Sequence, residues 1–281
     1  VRDAVRAMFG QFREEVRERL RGEATAAALR AYGDALWKMA TSPSLRLRLP
    51  EGDEGEAEGG GDILFDRPRL MVVVHGDQKT NLSTGSVNNT AVVFLNELGQ
   101  LKDFLFAGQL SGPVRSSGPS AADLFRDPAK SKDIARIRDK ILEHAPHAIL
   151  VGLSSSPTCV GAARQLLRDM KSVAEHLLEE HPQFIRDLET QTVSVHPMDE
   201  RLAALWEGCG PARKELGEHA PTVRRAVGLG RAAIDPLSLL AGLCGPDREI
   251  LSLSLSDLQD QLTAEARLAV VGQTLVSAVA Q

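Results

Sequence analysis

Aromatic residues are scarce in this chain, at 4%, so any core must rest on Leu, Val, Ile and Ala. Cysteine is scarcer still. Cys159, Cys209 and Cys244 lie far apart and none belongs to a CxxC pair, which argues against a disulfide framework and fits a reducing compartment. No run of 18 apolar residues occurs, so no membrane span is expected, and no signal-peptide pattern is present. The chain opens at Val1 inside a helical pattern and reads as a piece of a longer protein. No basic stripe stands out, and the net charge is −5; strong autonomous binding of nucleic acid is not expected.

What is present is ordinary globular material, 43% hydrophobic and 25% charged over 281 residues. The charge is uneven. Residues 1–50 carry ten Arg or Lys against six acids, whereas residues 51–62 carry six acids and no base. Residues 2–40 predict a helix, with Val5, Phe9, Phe12, Val16 and Leu20 forming one apolar stripe that needs something to pack on. The stretch EGDEGEAEGGGD reads as a solvated acidic linker.

Beyond the linker the pattern changes. Strands are predicted at 69–75, 90–95 and 101–107, the last two joined as a hairpin by the turn between Asn96 and Gly99. A helix over 132–144, a fully apolar strand over 148–153, a long helix over 160–180, a strand over 192–196 and a short helix over 199–206 follow. Residues 78–89 and 108–130 read as loops. Three antiparallel strands, then helix, strand, helix, strand, helix, is the element order of an RNase H-like α/β domain. The tail is helical: 222–233, then a helix opened by Asp235 as cap and Pro236 at its first position. Leu251, Leu253 and Leu255 alternate with Ser as a short extended piece, and 257–279 closes as one helix or two.

The segment VRRAVGLGRAAIDPL, residues 223–237, carries Arg224, Ala226-Val227, Leu229, Arg231 and Asp235-Pro236-Leu237. It resembles a motif of the Tex-like transcription factors, and among them the eukaryotic branch of elongation factors and histone chaperones. The likeness continues through Cys244, Asp247, Ile250-Leu251, Leu253 and Leu258-Gln259, and residues 13–43 resemble the helix leading into that family's YqgF-type domain. It implies four parts: residues 1–49 as the end of a helical domain, 50–62 as a linker, 63–210 as a YqgF/RNase H-like mixed sheet, and 211–281 as helices leading toward a helix-hairpin-helix module. It implies a nuclear protein whose partners are the RNA polymerase II elongation complex and histones or nucleosomes, with nucleic acid met through other domains. No membrane, cofactor, metal or small-molecule substrate is implied. The motif residues of 223–237 are expected to be structural.

RNase H chemistry requires three or four carboxylates converging on one or two Mg²⁺ ions. By the resemblance the first-strand acid should stand where this chain has Val74. Asp77 comes three residues later, past Gly76, and reads as a solvated loop residue. GLSSSPTC, residues 152–159, has no acid at the fourth strand. The late acids are Asp199 and Glu200. A nuclease or junction resolvase built on Asp77 with Asp199 or Glu200 is the alternative reading; loss of catalysis is the expectation.

Other signals are weaker. GLGRAA matches a G-x-G-x-x-A string but follows no strand, so its glycines are expected to permit close helix packing. His75 and His196, both near strand ends, could approach each other, with ordinary polar strand-end residues as the blander expectation. Ser154, Ser155 and Ser156 could bind an anion or, more commonly, cap a helix. The sequons at Asn81 and Asn88 would meet no glycosylation machinery in a nuclear or cytosolic chain.

Overall fold

The computed structural model describes residues 2–48, 63–65, 67–75, 90–108, 110, 128–154, 160–188 and 193–281. Asp77, Ser155, Ser156, both sequons and the 50–62 linker lie outside them. The chain divides into two compact units, residues 1–42 with 244–281, and residues 43–243. The 211–281 stretch, grouped as one segment in the sequence, is therefore split at Leu243.

The first unit pairs helix α1 (Arg2–Ala40) with helix α9 (Ala264–Val279). Ala28, Tyr32, Leu36 and Ala40 recur every four residues on one face of α1 and are buried. Gly33 permits the approach: a Cβ there would sit 3.1 Å from Val270 of α9. Thr263 caps α9 by accepting from Ala266 N–H. The stripe read from the sequence lies elsewhere on α1, and Phe9, Phe12, Val16 and Leu20 are exposed. The alternating leucines do not form an extended piece. Glu249–Ser252 is a 3₁₀ turn, closed by Leu251 N–H to Arg248 O at 3.0 Å, and it buries Ile250. A second 3₁₀ turn, Gln259–Gln261, precedes α9.

The second unit is built on a five-stranded mixed sheet. Beside it a two-stranded piece pairs β1 (Leu47–Arg48) with β2 (Ile63–Phe65), which the sequence reading did not include. The main strands are β3 (Leu70–His75), β4 (Thr90–Leu95), β5 (Leu101–Phe106), β6 (Ala148–Leu153) and β7 (Ser194–Asp199), in the spatial order β5-β4-β3-β6-β7. β3, β4 and β5 are antiparallel neighbours; β6 runs parallel to β3, and β7 parallel to β6. β7 begins two residues later than the periodicity predicts and runs on to Asp199, through Pro197. An edge strand tolerates a proline because one of its rows of N–H groups has no partner strand.

β3 and β4 are buried along their whole length, as expected of strands covered on both faces. On one face Met71, Val73, Val92, Phe94, Ile149 and Val151 form a single core with helices α2 (Pro128–His144) and α3 (Val160–Glu180). The α2 contribution is Ile134, Ile137 and Ile141, at the spacing seen in the sequence. Four short or medium helices complete the unit: α4 (Pro182–Asp187), α5 (Arg201–Trp206), α6 (Gly210–Leu216) and α7 (Pro221–Ile234), with α8 (Pro236–Gly242) at its end. α4 and α6 had no counterpart in the sequence reading. α7 lies on the second face. A Cβ on Gly230 would stand 2.2 Å from Leu95 and 3.1 Å from Val72, and one on Gly228 would stand 2.8 Å from Trp206. The two glycines of GLGRAA let the helix press onto the sheet and α5, so the string is a packing device.

Two outward backbone groups at the β5 edge of the sheet have partners. Ala107 N–H donates to Thr90 O, so by alternation Phe104 and Phe106 face away from β4. Asp103 Oδ1 accepts the Phe104 N–H at 2.8 Å, and Arg136 of α2 donates to Phe106 O at 3.2 Å. At the other edge β7 carries Pro197.

Candidate functional site

The carboxyl ends of β3, β6 and β7 are where nuclease acids would have to meet. Val74, where the resemblance would put the first of them, is a fully buried apolar side chain on β3, opposite Ala91 of β4. Of the late acids, Asp199 ends β7 and is half exposed. Its two oxygens accept from the Arg201 backbone N–H at 2.8 Å and from Arg201 Nε at 2.7 Å, an arrangement that starts α5. Glu200 behaves differently. It is buried, its Oε1 lies 2.1 Å from where a Gly152 Cβ would stand, and its Oε2 is 3.6 Å from Arg225. Arg225 in turn forms a two-pronged pair with Glu207 at 2.8 and 3.0 Å. The glycine of β6 thus makes room for a carboxylate held against an arginine of α7. The two adjacent acids are drawn to different arginines.

His75 and His196 do not come together. The register sets His196 level with Leu150, and Leu150 level with Val72. His75 is three residues further along β3, about 10 Å at the strand rise, and two strands across. His75 instead faces Thr90 Oγ1 at 3.4 Å, and His196 meets Ser194 Oγ at 2.9 Å, with burial holding its pKa down. Among the described residues, the cluster with metal-ligand spacing is Asp103, Glu143 and His144, at the β5 edge. A lysine already serves it: Lys140 Nζ is 2.6 Å from Asp103 and 2.8 Å from Glu143. Burial pushes the Asp103 carboxyl up, but hydrogen bonds from Lys140, His144 and the Phe104 N–H outweigh it and leave the pKa below its ordinary value.

The 223–237 motif folds into a second constellation. Ala226, Val227 and Leu229 are fully buried on the inner face of α7. Arg224 donates to Glu207 O at 2.8 Å and to His219 O at 2.6 Å, fixing the α5–α7 connection. Arg231 reaches three elements at once. Its Nε donates to Gly99 O at 3.0 Å in the β4–β5 turn, its two Nη atoms pair with Glu215 of α6, and its guanidinium lies 5.2 Å from the Trp206 ring centroid. The Arg231 hydrogen bonds hold the Glu215 carboxyl below its ordinary value. Asp235 accepts from Ser238 N–H at 2.9 Å and caps α8, with Pro236 at the first helical position and Leu237 next. Arg231, Asp235 and Ser238, with Trp206, Leu98 and Arg67, line a cleft of about 340 Å³.

Arg231→Lys should destabilise the chain by about 1–3 kcal/mol, because one ammonium cannot serve a carbonyl, a bidentate carboxylate and an aromatic face together. Urea unfolding of Arg231→Lys, Glu215→Gln and the double variant measures it. Additive losses would mean that the pair is not coupled. Sequence reading had Arg231 and Asp235 in the motif. It missed Arg225, Glu207, Glu215 and Trp206, because nothing in local spacing marks residues whose partners lie elsewhere in the chain.

These observations define a class: an α/β domain with a five-stranded mixed sheet flanked by helices, whose late strand-end acids are engaged by arginines. No profile of a known protein family matches the chain. Individual relatives do. It is 30% identical over 276 residues to a protein of Arabidopsis thaliana named transcription elongation factor SPT6 homolog, covering 98% of this chain and 15% of that protein. It is 27% identical over 263 residues to a second Arabidopsis thaliana protein, transcription elongation factor SPT6-like, covering 94% of this chain and 18% of that one. With the suppressor of Ty 6 homolog of Caenorhabditis elegans it shares 23% over 231 residues, 82% of this chain and 14% of the relative. The chain therefore belongs by homology to the suppressor of Ty 6 family, and it spans less than a fifth of the length of these relatives.

Proposed function

We propose that this chain is a non-catalytic, RNase H-like (YqgF-type) scaffold segment of a nuclear transcription elongation factor and histone chaperone that works with RNA polymerase II on chromatin. The names of its relatives support the elongation role, since two of them are called transcription elongation factors. The strand order supports the RNase H-like reading: a central first strand with an antiparallel hairpin on one side and parallel crossovers on the other suits the element order of that fold. The observation that carries the non-catalytic reading is Val74. A buried valine stands where the resemblance would put the first metal-binding carboxylate, while Asp199 and Glu200 are paired with Arg201 and Arg225. Two-metal hydrolysis needs acids converging on one point, and a lone buried carboxylate facing a guanidinium cannot supply that.

The test is a nuclease assay of the purified chain on single-stranded RNA, duplex DNA and a four-way junction with Mg²⁺ or Mn²⁺, beside Asp77→Asn. The expected result is no cleavage by either protein, each shown folded by circular dichroism. Metal-dependent cleavage that Asp77→Asn abolishes would replace this reading with that of a nuclease. The elongation role is tested separately, by co-purification of the tagged parent protein with polymerase and histones.

A further inference from the structure

Helix α1 is packed over only part of its length. Ala28, Tyr32, Leu36 and Ala40 are buried in the first unit, whereas every residue from Gln11 to Ala27 is exposed. The apolar stripe noted in the sequence runs along this bare stretch. Phe9, Phe12 and Leu20 are 64%, 63% and 58% exposed, and Val16 stands between them. Helical spacing puts all three within about 40° of Val16, a stripe of the width that one neighbouring helix covers. Exposed apolar side chains scattered singly are ordinary; a contiguous row on one face marks a contact surface.

The charges around the stripe are sorted. Arg13, Arg17 and Arg21 follow at four-residue steps along one flank. With Val16, Leu20 and Ala24 they line an open groove of about 440 Å³, and among the described residues no acid lines it. Arg17 is paired with Glu14, while Arg13 and Arg21 have no ion-pair partner among the described residues. Glu14 and Glu18 stand behind the helix, about 160° from Val16. Glu23, on the line of the stripe itself, is held by Arg19 at 3.0 Å. The flank is therefore positive where a neighbour would lie against it.

Three kinds of cover fit poorly. Nucleic acid would meet the arginines but leave Val16 and Leu20 against water, since neither offers a ring on which a base can stack. A lipid surface would draw Glu23 into its apolar layer together with the stripe. A second copy set antiparallel would bring arginine row against arginine row; set parallel, it would place that row against Met8, Glu15 and Arg19, which are neutral as a set. A helix with its own apolar stripe and an acidic flank satisfies both features. The chain spans less than a fifth of the length of its relatives, so a polypeptide of that kind has ample length to supply such a helix. A segment tethered in the same polypeptide meets α1 at high effective concentration and needs only modest intrinsic affinity.

We propose that the exposed stripe of α1 is the docking face for an amphipathic helix elsewhere in the parent polypeptide, whose apolar stripe packs on Phe9, Phe12, Val16 and Leu20 and whose Asp or Glu flank meets Arg13, Arg17 and Arg21. The proposal shares with the scaffold reading only the premise of a longer parent protein. Nuclease and co-purification results of either sign leave it standing.

The test is the rate of maleimide alkylation at Val16→Cys, on the stripe, and at Glu18→Cys, behind it, read peptide by peptide in a mass spectrometer so that the native cysteines do not interfere. Both sites should react freely in the 281-residue chain. In the purified parent protein Val16→Cys should react at least about tenfold more slowly, and Glu18→Cys within about twofold of its rate in the chain. Adding Arg13→Glu and Arg21→Glu to the parent should speed labelling at Val16→Cys by about fivefold or more, whereas Arg13→Lys with Arg21→Lys should keep the protection. All four substitutions are at exposed positions, and circular dichroism checks that the helix persists. Equal labelling in chain and parent overturns the proposal. So does equal slowing at both cysteines, which would mean a helix enclosed on all sides, or protection indifferent to charge reversal. Protection that rises with parent concentration assigns the face to a second copy, and protection that needs added cell extract assigns it to a separate protein; either result overturns the proposal.

Discussion

Asp169→Ala should cost the sheet unit about 3–5 kcal/mol of unfolding free energy, the largest loss expected from a single substitution here. Lys130, in the first turn of α2, and Asp169, in the middle of α3, form an ion pair with Nζ 3.4 Å from Oδ2, and their side chains are 2% and 3% exposed. Gln165 donates to the other carboxylate oxygen at 2.6 Å. Burial pushes the Asp169 carboxyl above its ordinary value, against the opposing pull of Lys130 and Gln165. Taking both charges out of water is expensive, and their attraction offsets that only while both are present. Removing one leaves an ammonium buried in an apolar layer. The contrast that isolates this cause is the double replacement Lys130→Met with Asp169→Leu, which should recover most of the loss. Urea unfolding in a Trp37→Phe background lets Trp206 report on the sheet unit alone. If the double variant is as unstable as Asp169→Ala, the loss comes from packing and the charge argument fails.

Acidification should weaken the same unit through a different residue. His147, just before β6, is buried and has a pKa lowered to about 4, by burial first and by the neighbouring Arg69 second. Its Nδ1 accepts the Arg69 backbone N–H at 3.0 Å, the His147 backbone N–H donates to Arg69 O, and Arg69 Nε donates to Ala145 O at 2.9 Å. An acceptor at Nδ1 requires the neutral ring. In the unfolded chain His147 takes up a proton near pH 6.5, whereas in the folded chain it does so only near pH 4. The folded form is therefore at full strength above about pH 6.5, and stability falls as the pH drops toward 4. The shift corresponds to roughly 3 kcal/mol. Urea midpoints from pH 7.5 to pH 4 measure this, with His147→Gln retaining an acceptor but no titration. A profile equally steep in His147→Gln would assign the acid sensitivity to other groups.

The sequence carried the sheet unit further than its site. β3, β4, β5, β6, α2 and α3 announce themselves by local periodicity, and the Asp235-Pro236 start of α8 follows from capping chemistry alone. β7 was legible but displaced, because Pro197 reads as a breaker in any local window and only its place at an edge makes it tolerable. The leucines at 251, 253 and 255 misled for the converse reason: an alternating pattern in so short a stretch does not decide between an extended piece and a 3₁₀ turn closed by its own backbone. At the strand ends, the apolar character of position 74 could be read from the sequence. The pairing of Glu200 with Arg225 could not, since it depends on Gly152 leaving space from another element. The motif of residues 223–237 was visible as a string of residue types. That its arginines join α5, α6 and the β4–β5 turn follows only from the packing of α7 on the sheet.

The edges of the sheet are poorly suited to one mode of contact with other molecules. Strand addition, in which a partner segment extends a sheet through its open backbone groups, needs a free row of N–H and C=O groups. At β5 the outward Phe104 N–H is taken by Asp103 and the outward Phe106 C=O by Arg136, and at β7 Pro197 has no N–H to offer. The same arrangement guards against a hazard of crowded assemblies, the joining of copies edge to edge into growing β-stacks. Recognition at this sheet then favours side chains on turns and helices over the strand edges.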